Sequence, residues 1–295
     1  MDMLESMPVL SSGKGKTLYE IPGRPDVALM KFRDSLSTHN IVHASEIPGK
    51  GDLICAQTVF MAEEVLIPGG VATHLVAAGQ GIYEILADGE YEPGLHNHAV
   101  IVLRRDKPLI EVITRDFLCG SLYKKHYAKG LDPYGLGLRK GLSLMHEFRD
   151  GTVLTPTEKS ETDDPIDRDQ AWRDYPLEME TGLKVHRLGK EYLKGRGITL
   201  IDCKTEVLGT LVIDDWLNGD CCRLALTADI KEGEEPAFLD KENFRAIAVS
   251  RWGTASQIPL TFSESEAREG LAGYHQAFER ITGNTLLEYQ RNRFD

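Results

Sequence analysis

The sequence predicts an α+β protein, with a β-rich N-terminal part and a larger C-terminal part in which helices pack on a second sheet. Short apolar runs separated by Gly, Asp and Pro fill the first third of the 295 residues. Helix-length segments then alternate with strand-like ones. With 41% hydrophobic and 27% charged residues, the chain has the composition of a folded domain with a core.

The N-terminal part is predicted to be an antiparallel sheet with one helix packed on it. The helix is the segment DLICAQTVFMAEEVL, which ends at IPGG. The predicted strands are KTLYEI, VALMKFRD, GVATHLVAAG, GIYEILADG, AVIVLRRD and PLIEVITRDF.

The C-terminal part begins with a predicted helix, SLYKKHYAKG, that Ser121 helps to start. The polar stretch TPTEKSETDDPIDRDQ has no periodicity and is predicted to be a mobile loop. A longer helix within residues 170–196 precedes a hairpin of GITLIDCKTEVLG and TLVIDDWL. The last predicted helix, SESEAREGLAGYHQAFERITG, opens with capping serines and ends at Gly283.

The composition also limits the kinds of partner that the chain is expected to bind. A net charge of −12 argues against nucleic-acid binding, and no apolar run approaches the ~18–20 residues of a membrane span. The first residues lack the pattern of a signal peptide. Five cysteines without a CxxC motif predict reduced thiols and a cytoplasmic protein. The sequence leaves open whether the chain forms a homo-oligomer.

Residues 211–224, LVIDDWLNGDCCRL, allow three interpretations. They are a cysteine-ligated metal site, a redox pair, or a carboxylate–arginine site for a phosphorylated ligand with the cysteines as bystanders. A zinc site requires four suitable ligands, and adjacent Cys221 and Cys222 can form a disulfide only as a strained ring. These requirements favour the third interpretation.

Three charged residues, Asp202, Lys204 and Glu206, alternate along one predicted strand and therefore share a face. The hairpin is expected to bring Glu206 close to Asp214, and paired carboxylates are suitable ligands for Mg²⁺. A solvent-facing edge of alternating charges is the competing explanation.

Two further stretches could bind phosphate. SSGKGKTLYEI places two glycines and two lysines before a strand, although a solvated turn explains the pattern equally well. Arg115 and Ser121 lie on either side of a Cys–Gly pair. They could form a phosphate site, or they could be a surface arginine beside a helix cap. His96 and His98 form an HxH pair without a third ligand and are predicted to be ordinary hairpin residues.

Taken in order, these stretches resemble the phosphoribosylaminoimidazole-succinocarboxamide synthase (SAICAR synthetase) family. The stretches that carry the resemblance are GKGKTLYEI, IPGKG, GVATHLV, PLIEVITRDFLCGSLYKKHY, LTPTEKSETDDPID, GITLIDCKTEVLG and IDDWLNGDCCRL. The resemblance implies a SAICAR-synthetase-like fold with ATP in the cleft between an N-terminal lobe, residues 1–112, and a C-terminal lobe, residues 113–295. It also implies an ATP-dependent ligase that joins CAIR and L-aspartate through an acyl phosphate.

The resemblance assigns roles to individual residues. Those implied to bind ATP are Lys14, Lys16, Glu111 and Lys204. Those implied to bind the phosphoribosyl substrate are Arg115, Ser121, Asp220 and Arg223. Mg²⁺ is implied to bind Glu206 and Asp214, and Lys159 and Asp164 to close over the reacting groups beside Lys204.

The chain departs from the family pattern on the acceptor side. Asn40 replaces an acid, Asp163 replaces a histidine, and Cys221 and Cys222 stand where the family carries two serines. These changes keep three alternatives open: a divergent ligase for another carboxylate and amine, a non-catalytic nucleotide-binding relative, and a kinase-like phosphoryl transfer.

Overall fold

The structure is a computed structural model that describes residues 3–160 and 162–295. The strands are β1 (Val9–Ser12), β2 (Lys16–Glu20), β3 (Val27–Phe32), β4 (Ser35–Thr38), β5 (Ile41–Glu46), β6 (Ala72–Thr73), β7 (Leu75–Ala78), β8 (Ala99–Leu103), β9 (Ile110–Arg115), β10 (Val153–Leu154), β11 (Thr157–Glu158), β12 (Ile198–Leu208), β13 (Leu211–Ile213) and β14 (Cys222–Leu226). The helices are α1 (Met3–Ser6), α2 (Lys50–Met61), α3 (Leu95–His98), α4 (Arg168–Asp174), α5 (Pro176–Lys194), α6 (Glu242–Trp252), α7 (Glu264–Thr282) and α8 (Leu286–Tyr289).

The chain divides into two compact units, and each is assembled from segments that are distant in sequence. The first contains the chain up to Phe60, His74–Arg105 and Asp240–Asp295, and the second contains Met61–Thr73 and Asp106–Leu239. The sequence predicts two lobes that are each one continuous segment, residues 1–112 and 113–295, whereas each unit of the structure combines distant segments. Residue 112 lies inside β9, and the C-terminal helices pack with the N-terminal strands.

The first unit is built on a five-stranded antiparallel sheet in the order β1-β2-β3-β8-β7, beside the hairpin β4-β5. Alternate residues of β3 enter different cores. Ala28 and Met30 pack with α2, α6 and α7, whereas Val27 and Leu29 pack with residues of α1 and α3. Both sheet faces are therefore covered, which explains the nearly continuous apolar sequence of β3.

Hydrophobic burial explains why residues 240–295 join this unit. Phe244 and Ala248 on α6 and Tyr274 and Phe278 on α7 all contact the core that contains Met30. Burying a large apolar side chain such as Phe244 or Phe278 contributes about 1.5–3 kcal/mol. The sequence predicts the α7 helix, with its Ser263 capping box and its end at Gly283, but it does not state which sheet the apolar face covers.

The second unit contains a mixed sheet whose longest strand is β12. Strand β12 pairs antiparallel with β9, β13 and β14, β9 also pairs with β10 and β11, and β13 pairs parallel with β6. Helix α5 packs on this sheet, since Met179 contacts Val112, and Cβ at Gly182 would lie 2.5 Å from a methyl of Val112. The predicted long helix and the β12–β13 hairpin are both confirmed.

Two local predictions need correction. GIYEILADG forms a 3₁₀ helix, Gly79–Glu84, rather than a strand, because Ile82 and Leu86 both enter the core at helical spacing. SLYKKHYAKG is helical, but as a π turn, Leu122–His126, followed by a 3₁₀ turn, Tyr127–Lys129. Ser121 has helical dihedral angles and its side chain does not cap this segment.

The predicted mobile loop is partly ordered by pairing. Thr157–Glu158 forms β11 against β9, and Thr157 also bridges to Pro165. Glu161, within the same predicted loop, lies outside the described residues. Across residues 3–160 and 162–295, no helix combines the length and the apolar character that a membrane crossing requires.

His98 is held between two carboxylates in the first unit. Its Nδ1 lies 3.1 Å from Asp52 and its Nε2 lies 2.7 Å from Glu92, which also pairs with Lys31 at 2.6 Å. Gln290 donates to the other oxygen of Asp52. Burial opposes a charge on His98, but the two carboxylates outweigh it and raise the pKa of the imidazole.

This raised pKa predicts a pH-dependent stability. The contribution of charged His98 is fully present below about pH 6.5 and is lost as pH rises through the folded-state pKa. His98→Gln is therefore expected to cost about 1–2 kcal/mol of unfolding free energy near pH 6 and less at pH 9. Urea unfolding of both proteins across this range measures the difference.

His275→Gln provides the control, because burial lowers the pKa of His275. A neutral histidine of that kind contributes stability above about pH 6.5 and loses it as pH falls. The two variants are thus expected to show pH dependences of opposite sign. Equal pH dependence in both would contradict the role of the His98 carboxylate pair.

Candidate active site

Strand register places charged residues from three strands on one face of the second unit. On β12, Asp202 lies opposite Arg115 of β9 and Arg223 of β14. Four residues further on, Glu206 lies opposite Glu111. The predicted charged face of β12 is therefore real, and its neighbours are charged as well. It is buried within the sheet rather than displayed at a solvent-facing edge.

Glu111 and Glu206 share two lysines. Lys204 Nζ lies 2.9 Å from Glu111 Oε1 and 2.6 Å from Glu206 Oε1, and Lys159 Nζ lies 2.9 Å and 2.5 Å from the same two oxygens. Thr157 donates to Glu111 Oε2 at 3.1 Å. The four charges balance, so each buried carboxylate has the cationic partners that burial requires.

These contacts hold all four groups in their charged forms. Burial opposes ionisation of Glu111, but Lys204 and Lys159 outweigh it and lower the pKa to about 2. The pKa of Glu206 is lowered in the same way. Burial likewise opposes the charge of both lysines, yet the glutamates raise their pKa values, that of Lys204 well above its usual range. The lysines can therefore stabilise negative charge but are poor proton acceptors.

Asp202 joins the two arginines that were predicted to bind phosphate. Its Oδ2 accepts from Arg115 Nη1 at 2.5 Å and from Arg223 Nη1 at 2.7 Å. Arg115 also donates through Nε to Thr155 at 2.8 Å and through Nη2 to Ser121 at 3.4 Å. One carboxylate thus orients two guanidinium groups and leaves the cluster with a net positive charge, which suits a phosphate.

Gly120 provides the space that Arg223 occupies. Its φ is +57°, and a Cβ built there would lie 2.5 Å from Arg223 Cζ. Any larger residue must therefore displace the guanidinium as well as adopt a left-handed backbone. This close approach explains why a glycine stands at position 120, between the predicted phosphate-binding residues Arg115 and Ser121.

Gly120→Ala is expected to raise the KM for a phosphorylated substrate at least tenfold, because Arg223 must move. Gly130→Ala is the matched control, since Gly130 has a φ of +70° with nothing within 4 Å of its Cβ position. Both variants carry similar backbone strain, about 1–2 kcal/mol. Steady-state kinetics measure the difference, and an equal KM in the two variants would contradict the packing argument.

The structure also positions a buried aspartate that sequence reasoning missed. Asp116 follows β9 and contacts His186 at 3.2 Å, Lys190 at 2.6 Å and Thr152 at 2.7 Å. Burial opposes its charge, but His186 and the other donors lower its pKa. His186 in turn bonds Thr114 of β9 at 2.9 Å. This network ties α5 to the end of β9 directly after Arg115, and no local sequence signal indicates it.

Three other predicted site residues, Asp214, Asp220 and Asp164, also belong to the second unit. Asp214 follows Ile213, the register partner of Glu206, and has a φ of +60°. It adds to the negative field that acts on Lys204. Asp220 is in the turn before β14, where its backbone N–H bonds Asn218 at 2.9 Å. Asp164 is exposed and accepts from Thr162 at 2.8 Å.

The predicted ATP-binding lysines lie in the first unit. Lys14 is in the turn between β1 and β2 and donates to Asn40 at 2.9 Å. Lys16 begins β2, is buried, and lies over the ring of Phe32 at 5.3 Å. Ser35 donates to the Lys14 carbonyl at 2.7 Å. The glycine–lysine turn is therefore held by backbone and side-chain contacts.

The oxygen donors beside Lys204 are chemically suited to Mg²⁺, which prefers carboxylates and water. Both lysines contact Glu206 through Oε1, so a metal could take Oε2 without breaking either contact. Asp214, directly after the residue paired with Glu206, carries a second carboxylate. The residues present therefore fit the metal that the sequence predicts.

Comparisons with known proteins agree with this architecture. The chain is 28% identical over 305 residues to the phosphoribosylaminoimidazole-succinocarboxamide synthase of Stenotrophomonas maltophilia, covering 95% of this chain and 96% of the relative. A solved SAICAR synthase is 25% identical with a TM-score of 0.80, and the SAICAR synthase from Saccharomyces cerevisiae complexed with SAICAR is 24% identical with a TM-score of 0.78. Each structural match covers 95% of this chain and 96% of the other.

The predicted α+β, SAICAR-synthetase-like fold is thus confirmed, and the matches define the chain as an ATP-dependent ligase. The chain belongs to the SAICAR synthetase family, whose sequence model it matches over residues 9–257. The match spans residues of both compact units.

Proposed function

We propose that the chain joins CAIR and L-aspartate to give SAICAR, with cleavage of ATP to ADP and phosphate. Family membership and the names of the relatives support this activity. The structural observation that carries the proposal is the single charged face of β12, with paired arginines at Asp202 and paired lysines at Glu206. The two clusters lie four residues apart, or about 13 Å along the strand.

That spacing suits a substrate with a phosphate at one end and a reacting carboxylate at the other. Arg115, Arg223 and Ser121 would grip the phosphate of CAIR, and Asp220 would contact its ribose or base. The imidazole carboxylate would then lie towards Lys204 and Lys159. Because Asp202 balances only one of the two arginine charges, the phosphate site retains a positive charge for its ligand.

The reaction requires that a poor electrophile be activated. A carboxylate oxygen of CAIR attacks the γ-phosphorus of ATP, ADP leaves, and an acyl phosphate forms. The aspartate amine then attacks the acyl carbon, phosphate leaves, and the nitrogen loses a proton to give the amide. Lys204 and Lys159 stabilise the negative charge that develops in both steps, because their raised pKa values keep them protonated.

The remaining assignments rest on the family resemblance. Lys14 and Lys16 would hold the phosphates of ATP, with Glu111 near the nucleotide. Glu206 and Asp214 would hold Mg²⁺, which when bound neutralises phosphate charge. Asp164 would close over the reacting groups with Lys159, limiting loss of the acyl phosphate to water.

The cysteine at position 222 does not change the charged face. Cys222 lies opposite Cys203 across the β12–β14 pair, one residue from the Asp202–Arg223 row. Successive side chains of a strand point to opposite faces, so the thiol of Cys222 lies on the other side of the sheet from Arg223. This position supports CAIR as the substrate despite the departure from the family's serines.

The test is ADP release by the purified protein with MgATP, CAIR and L-aspartate, each omitted in turn, with the product identified by mass. Release that requires all three and yields SAICAR is the expected result. Lys204→Met is the control for a contaminating ATPase and is expected to be inactive. No release despite measurable ATP binding would reject CAIR ligation and favour another carboxylate and amine pair.

A further inference from the structure

Three cysteine thiols converge inside the second unit. The Sγ atoms of Cys203, Cys221 and Cys222 all lie within 4.8 Å of one another, and all three residues are buried. The Sγ atoms of Cys221 and Cys222 are 3.9 Å apart. Among the residues that the structure describes, this is the group of three or more His, Cys, Asp or Glu side chains whose donor atoms approach closely enough to hold one metal ion.

The fold brings the third thiol to the other two. Cys203 is paired with Cys222 across the antiparallel strands β12 and β14. Cys221 comes from the preceding turn, where its N–H bonds Asn218 Oδ1 at 3.2 Å and the N–H of Cys222 bonds the Asn218 carbonyl at 3.0 Å. Both strands and the turn are held by backbone hydrogen bonds, so the thiols are arranged before any ligand arrives.

The sulfur spacing matches a three-coordinate metal. A metal–sulfur bond of about 2.3 Å in a planar triangle places the sulfurs about 4.0 Å apart. The observed 3.9 Å between Cys221 and Cys222 fits this triangle, and the Sγ of Cys203 lies within 4.8 Å of both. Three sulfurs without an oxygen or nitrogen donor in the group favour a soft ion over Mg²⁺ or Ca²⁺.

We propose that Cys203, Cys221 and Cys222 form a binding site for a soft, thiophilic metal ion, with Cu(I) as the preferred ion. Binding exchanges three S–H protons, released to solvent, for three metal–sulfur bonds, and no electron is transferred. Zn²⁺ is less suitable because its protein sites are almost always four-coordinate. The binding site is independent of the proposed ligase activity, since its test requires no substrate.

The test is anaerobic titration of the reduced, metal-free protein with Cu(I) in competition with a chromogenic Cu(I) chelator. We expect one Cu(I) per chain, a thiolate-to-metal charge-transfer band in the ultraviolet, and at least a 100-fold weaker affinity in Cys203→Ser and Cys222→Ser. Cys55→Ala is the control, because Cys55 lies in the core of the first unit and should leave the affinity unchanged.

Wild-type protein supplies a second measurement should a serine variant fail to fold. X-ray absorption of the bound ion at the copper edge is expected to show three sulfur neighbours at about 2.3 Å and no oxygen or nitrogen neighbour. No capture of Cu(I), equal capture by Cys203→Ser, or a bound ion without three sulfur neighbours would each overturn the proposal. One Zn²⁺ bound more tightly than Cu(I) would overturn the choice of ion.

Discussion

Asp202→Asn is expected to destabilise the protein by about 3 kcal/mol or more. The change removes the carboxylate that pairs with both Arg115 and Arg223, and Arg115 is only 2% exposed. Breaking a buried ion pair by removing one partner typically costs about 3–5 kcal/mol, because the remaining charge stays buried. Chemical unfolding of the variant and the wild type measures the loss.

The same variant is expected to lose substrate affinity. Without Asp202 the two guanidinium groups repel each other and no longer share one orientation, so the KM for CAIR should rise by about two orders of magnitude. Ligase kinetics at saturating MgATP and aspartate measure this effect separately from stability.

Asp169→Asn is the matched control for Asp202→Asn. Asp169 pairs with Arg168 at 3.2 Å, but the aspartate side chain is 69% exposed. Exposed ion pairs contribute about 0–1 kcal/mol, so little change in unfolding free energy is expected. If Asp202→Asn unfolds at the same denaturant concentration as Asp169→Asn, then Asp202 does not neutralise the arginines in the way described.

Glu206→Gln is expected to lower the ligase turnover by about 10²–10³-fold. Glu206 is proposed to hold Mg²⁺, and its Oε1 accepts from Lys159 and Lys204. An amide cannot neutralise a cation, so both the metal and the lysines lose an anionic partner. The apparent affinity for Mg²⁺, measured from turnover at varied metal concentration, is expected to fall together with the rate.

Glu111→Gln distinguishes the loss of a metal ligand from the loss of a carboxylate partner of the lysines. Glu111 contacts the same two ammonium groups at 2.9 Å, so its loss perturbs the lysines similarly. Because Glu111 is assigned to the nucleotide side and not to the metal, its variant should keep the apparent Mg²⁺ affinity while losing activity. An equal fall in Mg²⁺ affinity in both variants would remove Glu206 from the metal site.

Local patterns were sufficient for much of the fold. The Ser263 capping box and Gly283 bound α7, and alternation along β12 identified the shared face of Asp202, Lys204 and Glu206. These features depend on hydrogen bonds and side-chain directions within a few residues, so the sequence states them directly. The family resemblance supplied Glu111 and Lys159, which the structure brings to the same two-lysine cluster.

Patterns failed where a competing contact decides the conformation. GIYEILADG has the apolar content of a strand, but Ile82 reaches the core from a 3₁₀ helix and Leu86 reaches it from the turn that follows. Ser121 has the residue type of a cap, yet it takes a helical conformation and bonds Arg115 instead. In both cases tertiary packing overrides a local preference that is worth only a few tenths to about 1 kcal/mol.

The sequence by itself therefore determined the α+β class, the charged face of β12 and the family. Only the tertiary structure decided that Asp202 holds both arginines, that Cys203 joins Cys221 and Cys222, and that residues 240–295 pack with the N-terminal sheet. The reason is strand register and helix docking, which depend on pairs of residues far apart in the chain. A single strand shows which side chains share a face, but not which strand lies beside it.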